Sequence, residues 1–162
     1  MVAAAGLLED PSARLLLVGD GPERKALEKE AKRIGMGDRL HFEGFVAHER
    51  LPAVLAHADL LVLPSLYEEL GTVLLEAMQA GLPIVASKTG GILDVIEDGV
   101  TGLLVPPGDP EAFARAIDRL LADRDLACRL SEATQEQGKD YDWEVLAERD
   151  LAVYRGVTAG RS

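Results

Sequence analysis

The sequence predicts an α/β fold in which a parallel sheet of about five strands carries helices on both faces. Three observations lead there. Short apolar runs alternate with longer stretches of helical period, the pattern of successive βαβ units. The runs themselves show little apolar–polar alternation, as expected of strands covered on both sides. Glycine is concentrated in the segments that follow the runs, where an open parallel sheet turns toward its next helix.

In chain order, Val2 to Glu9 is helical in composition and leads straight into the first strand, Leu15–Val18, with no strand of its own ahead of it. The chain is therefore expected to begin inside a crossover helix, with the first βα unit of a Rossmann-like sheet absent. Pro22 stands where a first helical residue belongs and Gly35 where a left-handed cap belongs, so Pro22 to Ile34 is a helix with Leu27, Ala31 and Ile34 inward. Leu40–Phe42 is the second strand, and Leu51, Val54, Leu55 and Ala58 mark the second helix. The third strand is Leu60–Leu63. The third helix runs from about Thr72 to Ala80 and is closed by Gly81 before Pro83. Ile84–Ala86 is the fourth strand, a short helix follows Gly91, and Leu103–Val105 is the fifth strand. Asp109-Pro110 supplies an N-cap and a first-turn proline for a helix whose Phe113, Ala116, Ile117, Leu120 and Leu121 share one face. Two further helices are expected around 126–137 and 143–157, the second with Trp143, Leu146, Leu151 and Tyr154 as a packing stripe.

Size and composition narrow the function. With 162 residues the chain suits a single domain, placed at 1–162 with its carboxyl-terminal helices from about 126, and excludes two full lobes. The longest apolar runs fall far short of the ~20 residues of a membrane span. A formal charge of −11, from 17 basic and 28 acidic residues, argues against nucleic acid as a partner. Cys128 is the single cysteine, and His41, His48 and His57 have no metal-ligand spacing with it or with each other, so no metal site is expected. Met1 to Gly6 has no signal-peptide pattern, which makes a cytoplasmic location the expectation, with peripheral membrane association left open.

Ligands of open parallel sheets bind outside the strands' carboxyl ends, which selects five segments: Gly19 to Pro22, Glu43 to Val46, Pro64 to Gly71, Ser87 to Gly91, and Pro106 to Asp109. The third holds Glu68, just ahead of a helix, with Glu76 about a turn inside it. Both carboxylates can face one space beside the helix N-terminus. Alternatively Thr72, Glu76 and Gln79 form one polar stripe that faces water. Two acids suit general acid/base work, and helix-start amides beside hydroxyl-reading carboxylates suit a phosphorylated sugar equally well. Lys88 could lend charge to a phosphate, although an exposed loop lysine is the commoner case. Asp20 and Asp94 are expected to cap turns or helices, His41 to lie at a strand edge and His57 on a helix face.

Glu68 and Glu76, in the run Glu68-Glu69-Leu70-Gly71-Thr72-Val73-Leu74-Leu75-Glu76-Ala77-Met78, have the E-x7-E spacing of retaining glycosyltransferases of family 4 (group 1), which have the GT-B fold. The flanks agree in order: Gly19-Asp20-Gly21-Pro22-Glu23-Arg24, Ala58-Asp59 leading into Pro64-Ser65, Ala80-Gly81-Leu82-Pro83-Ile84-Val85-Ala86, Gly90-Gly91, and Asp98-Gly99-Val100-Thr101-Gly102 with Pro107-Gly108-Asp109. From about Ala13 to Leu121 the chain resembles the carboxyl-terminal, donor-binding lobe of that family.

The resemblance implies a transferase that moves a sugar from a nucleotide-sugar donor to an acceptor with retention. It implies that Glu76 hydrogen-bonds the ribose hydroxyls and that Glu68, the candidate catalytic residue, reads hydroxyls of the donor sugar. Amides of Leu70, Gly71, Thr72, Val73 and Leu74 would approach the sugar and diphosphate, and Phe45 and Val46 would border the base. No metal or other cofactor is implied, the donor being a substrate and the leaving diphosphate being neutralised by basic side chains and helix dipoles. The sequence departs from the family at Glu69-Leu70, where Gly-Phe is common. The family's diphosphate-clamping arginine and lysine come from the βα unit expected to be absent, and the acceptor-binding amino-terminal domain is likewise not part of this sequence. Two other functions fit less of the pattern: a nucleotide-sugar-binding fragment that catalyses nothing, and a GT-B nucleotide-sugar epimerase, which the ordered flanks disfavour.

Overall fold

A computed structural model describes residues 1–159. Its elements follow the expected order: α1 (Val2–Ala5), β1 (Leu15–Val18), α2 (Arg24–Arg33), β2 (Leu40–Gly44), α3 (Leu51–Leu55), β3 (Leu61–Leu63), α4 (Thr72–Gln79), β4 (Ile84–Ser87), α5 (Ile92–Val95), β5 (Leu103–Val105), α6 (Pro110–Ala122), α7 (Arg124–Gly138) and α8 (Trp143–Ala159). Every strand pairing is parallel. The fold class is therefore α/β, as the alternation of runs predicts.

Period-two geometry explains why the apolar strands do not alternate in sequence. Val62, Val85, Leu103 and Val105 pack toward α6 with Phe113, Ile117 and Leu120. Leu61, Leu63, Ile84, Ala86 and Leu104 point the other way, to Leu55 of α3, Leu74 and Met78 of α4, and Ile92 and Val95 of α5. Both faces of the β3–β4–β5 sheet are covered.

The five strands do not form one continuous sheet. β1 and β2 make a two-stranded sheet, β3, β4 and β5 a three-stranded one, and no ladder joins them. β4 is buried at all four positions, whereas β1 alternates, with Leu16 and Val18 exposed by 44% and 45%. With α2 beside α1 and α6 on one face and α3 and α4 on the other, right-handed crossovers order the strands β2-β1-β3-β4-β5. The break therefore falls between the open edges of β1 and β3. Helix α1 bridges it: Met1 packs against the α6 cluster and also against the cluster of Val2, Ala5, Ala31, Met36 and Leu40.

Several boundaries move from the expected ones. α1 stops at Ala5, and the Glu9 amide donates instead to the Asp118 carboxylate on α6 at 3.2 Å. The second helix enters through a 3₁₀ turn at His48–Arg50 and ends at Leu55. The expected packing stripe on α8 is exposed at Trp143, Leu151 and Tyr154 and half-buried at Leu146. Asp109 and Asp123 cap α6 and α7 by accepting from the amides of Ala112 at 2.8 Å and Leu126 at 2.9 Å, as the Asp-Pro signal predicts for α6.

Helix α7 fastens the amino-terminal ends of β4 and β5. Ser131 Oγ donates to the Gly81 carbonyl, Thr134 Oγ1 to that of Thr101 at 2.8 Å, and Gln137 Nε2 to that of Val95 at 2.9 Å. α7 also lies so close to α4 that a Cβ on Gly138 would stand 3.1 Å from the Met78 Cβ. The strands' carboxyl ends are left to the loops.

Candidate functional site

The loop from Pro64 to Gly71 sits at the carboxyl end of β3 and enters α4. Gly71 takes the left-handed conformation (φ 63°, ψ 55°), which a glycine adopts without strain, and turns the chain into the helix. Glu68 is tied to that turn: its carboxylate accepts from the Gly71 amide and from Ser65 Oγ, both at 3.2 Å. A carboxylate beside the first turn is also favoured by the helix dipole.

The loop after β4 holds this segment from the other side. The Gly91 amide donates to the Glu68 carbonyl at 2.9 Å, and Thr89 Oγ1 reaches the Leu66 carbonyl at 3.4 Å. A Cβ at Gly90 would stand 1.9 Å from the Glu68 carbonyl oxygen, and one at Gly91 the same distance from that of Glu69. Only glycines let the two loops meet this closely. Glu69 and Leu70 are exposed, so the Glu69-Leu70 departure faces solvent.

Glu76, on the second turn of α4, lies among Leu74, Ala77 and Met78, all fully buried. Its side chain is only 19% exposed, and Oε1 stands 2.9 Å from His48 Nδ1, in the 3₁₀ turn beyond β2. The neighbours at i−4 and i+3, Thr72 and Gln79, are exposed, so the solvent stripe holds for them and not for Glu76. The two glutamates thus reach the same end of the domain and different neighbours: Glu76 the segment after β2, Glu68 the helix start and the segment after β4. No hydrogen bond joins them.

Of the remaining expected residues, Phe45 is 84% exposed and Val46 half-buried, on the segment that leads to His48. Thr72 is exposed, Val73 half-buried, Gly71 and Leu74 buried. Among Leu70 to Leu74 the Gly71 amide is taken by Glu68, and that of Leu74 donates to the Gly71 carbonyl at 2.8 Å. Arg24, the basic residue of the first loop, is held by Glu28 at 3.0 Å and Asp20 at 3.4 Å; the Glu28 hydrogen bond, followed by the Asp20 charge, raises its pKa further. Asp20 also accepts from the Gly21 amide at 2.8 Å, so it caps a turn. Lys88 is exposed. His41 pairs with Glu43 on β2, and His57 Nδ1 bonds the Ala53 carbonyl at 2.8 Å.

Two residues escaped sequence reasoning. His48 lies two positions beyond the segment selected by the strand-end rule, and extending that window by half a turn would have included it. Ser65 was visible only as part of a Pro-Ser pair, and its bond to Glu68 depends on the fold of the loop. Two surface depressions, one around Glu97, Thr101 and Gln137 and one around Glu28, Lys32 and Phe42, lie away from both glutamates.

Known proteins share this fold. Alpha-D-kanosaminyltransferase of Streptomyces kanamyceticus is 39% identical over 145 residues, which is 89% of this chain and 38% of that protein. HepE of Anabaena, solved in complex with UDP and glucose, superposes with a TM-score of 0.85 at 28% identity, over 97% of this chain and 43% of its own. The carboxyl-terminal domain of LpcC, a group 1 glycosyl transferase from Francisella tularensis, superposes at 0.80 with 26% identity, over 88% of this chain and 77% of that domain. The chain thus spans about two-fifths of the length of the curated relatives it matches. The profile of the family described as glycosyl transferases group 1 matches residues 1–137, more than four-fifths of the sequence, and the chain belongs to that family.

Proposed function

We propose that this chain is the donor-binding part of a retaining glycosyltransferase, using a nucleotide-sugar and no metal or other cofactor. The observation that carries the reading is the placement of Glu68 and Glu76 about α4: one carboxylate fixed at the helix start, the other a turn and a half further on, beside the segment after β2. An extended nucleotide-sugar laid across that end meets, in turn, an aromatic face, a carboxylate, a helix start and a second carboxylate.

In this reading the base lies against Phe45 and Val46, and Glu76 accepts hydrogen bonds from the ribose hydroxyls. The open amides of Leu70, Thr72 and Val73, those of Gly71 and Leu74 being engaged within the chain, face the sugar and diphosphate with the helix dipole behind them. Glu68 orients the donor sugar through its hydroxyls, and Ser65 and the Gly71 amide hold Glu68 in place. HepE was solved with UDP and glucose and also with UDP-glucose, which supports a nucleotide-sugar in the same fold. The acceptor comes from a separate amino-terminal lobe. Its alignment with the anomeric carbon accounts for ~7–11 kcal/mol of barrier reduction that this lobe alone does not supply.

Titration of the 162-residue chain with UDP, GDP and ADP, without added metal, tests the reading. Arg24 is committed to two carboxylates, so the diphosphate lacks a charge-assisted contact of ~1.5–3 kcal/mol from it, a factor of roughly ten to a hundred in affinity. Saturable binding is expected with constants from high micromolar to millimolar, and no transfer by the chain alone. Absence of saturable binding by any of the three nucleotides would overturn the reading.

A further inference from the structure

We propose that His48 is a positioning residue for Glu76, holding its carboxylate ready for the two hydroxyls of a nucleotide ribose. The proposal rests on the reading of Glu76 as the ribose carboxylate. It starts from an asymmetry: the Glu76 side chain is 19% exposed and the His48 side chain 82%, yet Nδ1 and Oε1 lie 2.9 Å apart.

A carboxylate on an otherwise apolar stretch of helix needs a polar partner if it is to stay near the protein surface rather than swing into water. On α4 the adjoining Leu74, Ala77 and Met78 are fully buried and offer none. His48 supplies one from the segment after β2, and its place is set by backbone: the 3₁₀ turn His48–Arg50 is closed by the Arg50 amide on the Ala47 carbonyl at 2.9 Å, directly ahead of α3. The other charged groups at hand are Glu49 and Arg50 on the same turn, while Glu43 is taken by His41 at 3.2 Å. With its proton on Nδ1, the imidazole donates to Oε1. One lone pair of Oε1 and both of Oε2 then remain, enough to accept from two adjacent hydroxyls. The pair therefore orients Glu76 without using up its capacity, and the ligand feature it serves is a vicinal diol.

The consequence is selective. Loss of His48 should weaken a nucleotide that carries both ribose hydroxyls and leave unchanged one that lacks them, and it should act only through Glu76. The test is NMR-detected titration of the 162-residue chain with UDP and with its 2′,3′-dideoxy analogue, for the wild type, His48→Ala, His48→Asn, Glu76→Ala and the double variant His48→Ala, Glu76→Ala. The expected result is a loss of about three- to tenfold in UDP affinity for His48→Ala, the effect of one hydrogen bond. No change is expected for the dideoxy nucleotide. His48→Asn should restore UDP affinity, since its amide places a donor near the Nδ1 position. The double variant should be no worse than Glu76→Ala. His48 is exposed, so its variants should melt with the wild type.

Two failures are distinguishable. If Glu76→Ala lowers neither nucleotide selectively, or the wild type binds no nucleotide, the ribose reading fails and this proposal with it. If Glu76→Ala does discriminate, the proposal alone is overturned by a His48→Ala loss equal for both nucleotides, by additivity in the double variant, or by tighter UDP binding, which would make His48 a competitor for the carboxylate.

Discussion

The Gly91 amide and the Glu68 carbonyl meet at 2.9 Å, and this contact lets the loop after β4 define the position of the loop that carries the candidate sugar-reading carboxylate. It joins two segments 23 residues apart in sequence at the end of the domain where the strands leave their loops free. Gly91 has an ordinary helical φ of −66°, so an added methyl group strains nothing in the backbone and acts only through space. Gly90, at φ 49°, would suffer both effects.

Gly91→Ala therefore should displace the Glu68–Glu69 backbone, whose nearest oxygen stands 1.9 Å from the new Cβ, and lower stability by about 1–3 kcal/mol, as overpacking does. Gly90→Ala should cost more, by the additional left-handed strain of order 1 kcal/mol. Chemical denaturation of the two variants checks the order, and equal stability of Gly90→Ala and the wild type would contradict the close approach.

Phe45 makes a separate prediction because its ring is so exposed. Phe45→Ala should leave the melting temperature nearly unchanged, within the roughly ±0.5 kcal/mol of a surface substitution. It should weaken UDP, GDP and ADP alike, since base stacking on an aromatic ring contributes about 1–3 kcal/mol and tolerates any base. A variant that melts much lower but binds normally would place the ring in packing instead of at the base.

What the sequence revealed and what it withheld divide along physical lines. β1 and β5 begin and end where their apolar runs do; for β5 this is the contiguous signature of a strand covered on both faces, while β1 keeps its apolar run although Leu16 and Val18 are exposed. α4 starts at Thr72 as expected, since a glycine able to adopt positive φ precedes an apolar helical run. The break between β1 and β3 was not legible as a break: pairing is a relation between segments distant in sequence, and Leu16 and Val18 read the same whether or not a neighbour covers them. Glu68 and Glu76 stood out through their spacing. Their partners Ser65 and His48 did not, because the bonds to them depend on how loops from β3 and β2 fold over one helix. The stripe on α8 misled, since helical periodicity shows that a face exists and not that anything covers it.

Asp109→Ala should lower stability by about 1 kcal/mol, the usual contribution of a side chain that caps a helix N-terminus. For a chain of this length that corresponds to a fall of roughly 2–4 °C in Tm. Asp109→Asn or Asp109→Ser should recover most of it, because either side chain can still accept from the Ala112 amide. Thermal melts of the three variants check the ranking, and an Asp109→Ala variant as stable as the wild type would remove the cap from the account.

Thr134→Val is the substitution that separates the two ends of the domain. Thr134 is fully buried on α7 and donates to the Thr101 carbonyl at 2.8 Å, while Thr101 Oγ1 accepts from the Glu97 amide at 2.9 Å, so one hydroxyl anchors the turn that leads into β5. Valine keeps the shape and removes the donor, leaving a buried carbonyl without its partner at a cost of about 1–3 kcal/mol. The loss lies at the amino-terminal ends of the strands, and the loops that carry Glu68 and Phe45, with the first turns of α4 that carry Glu76, lie at the other. Denaturation should therefore show the full decrease, whereas nucleotide titration under native conditions should give the wild-type dissociation constant. A Thr134→Val variant with wild-type stability, or one that stays folded but binds nucleotide several-fold more weakly, would show that the two ends are not independent.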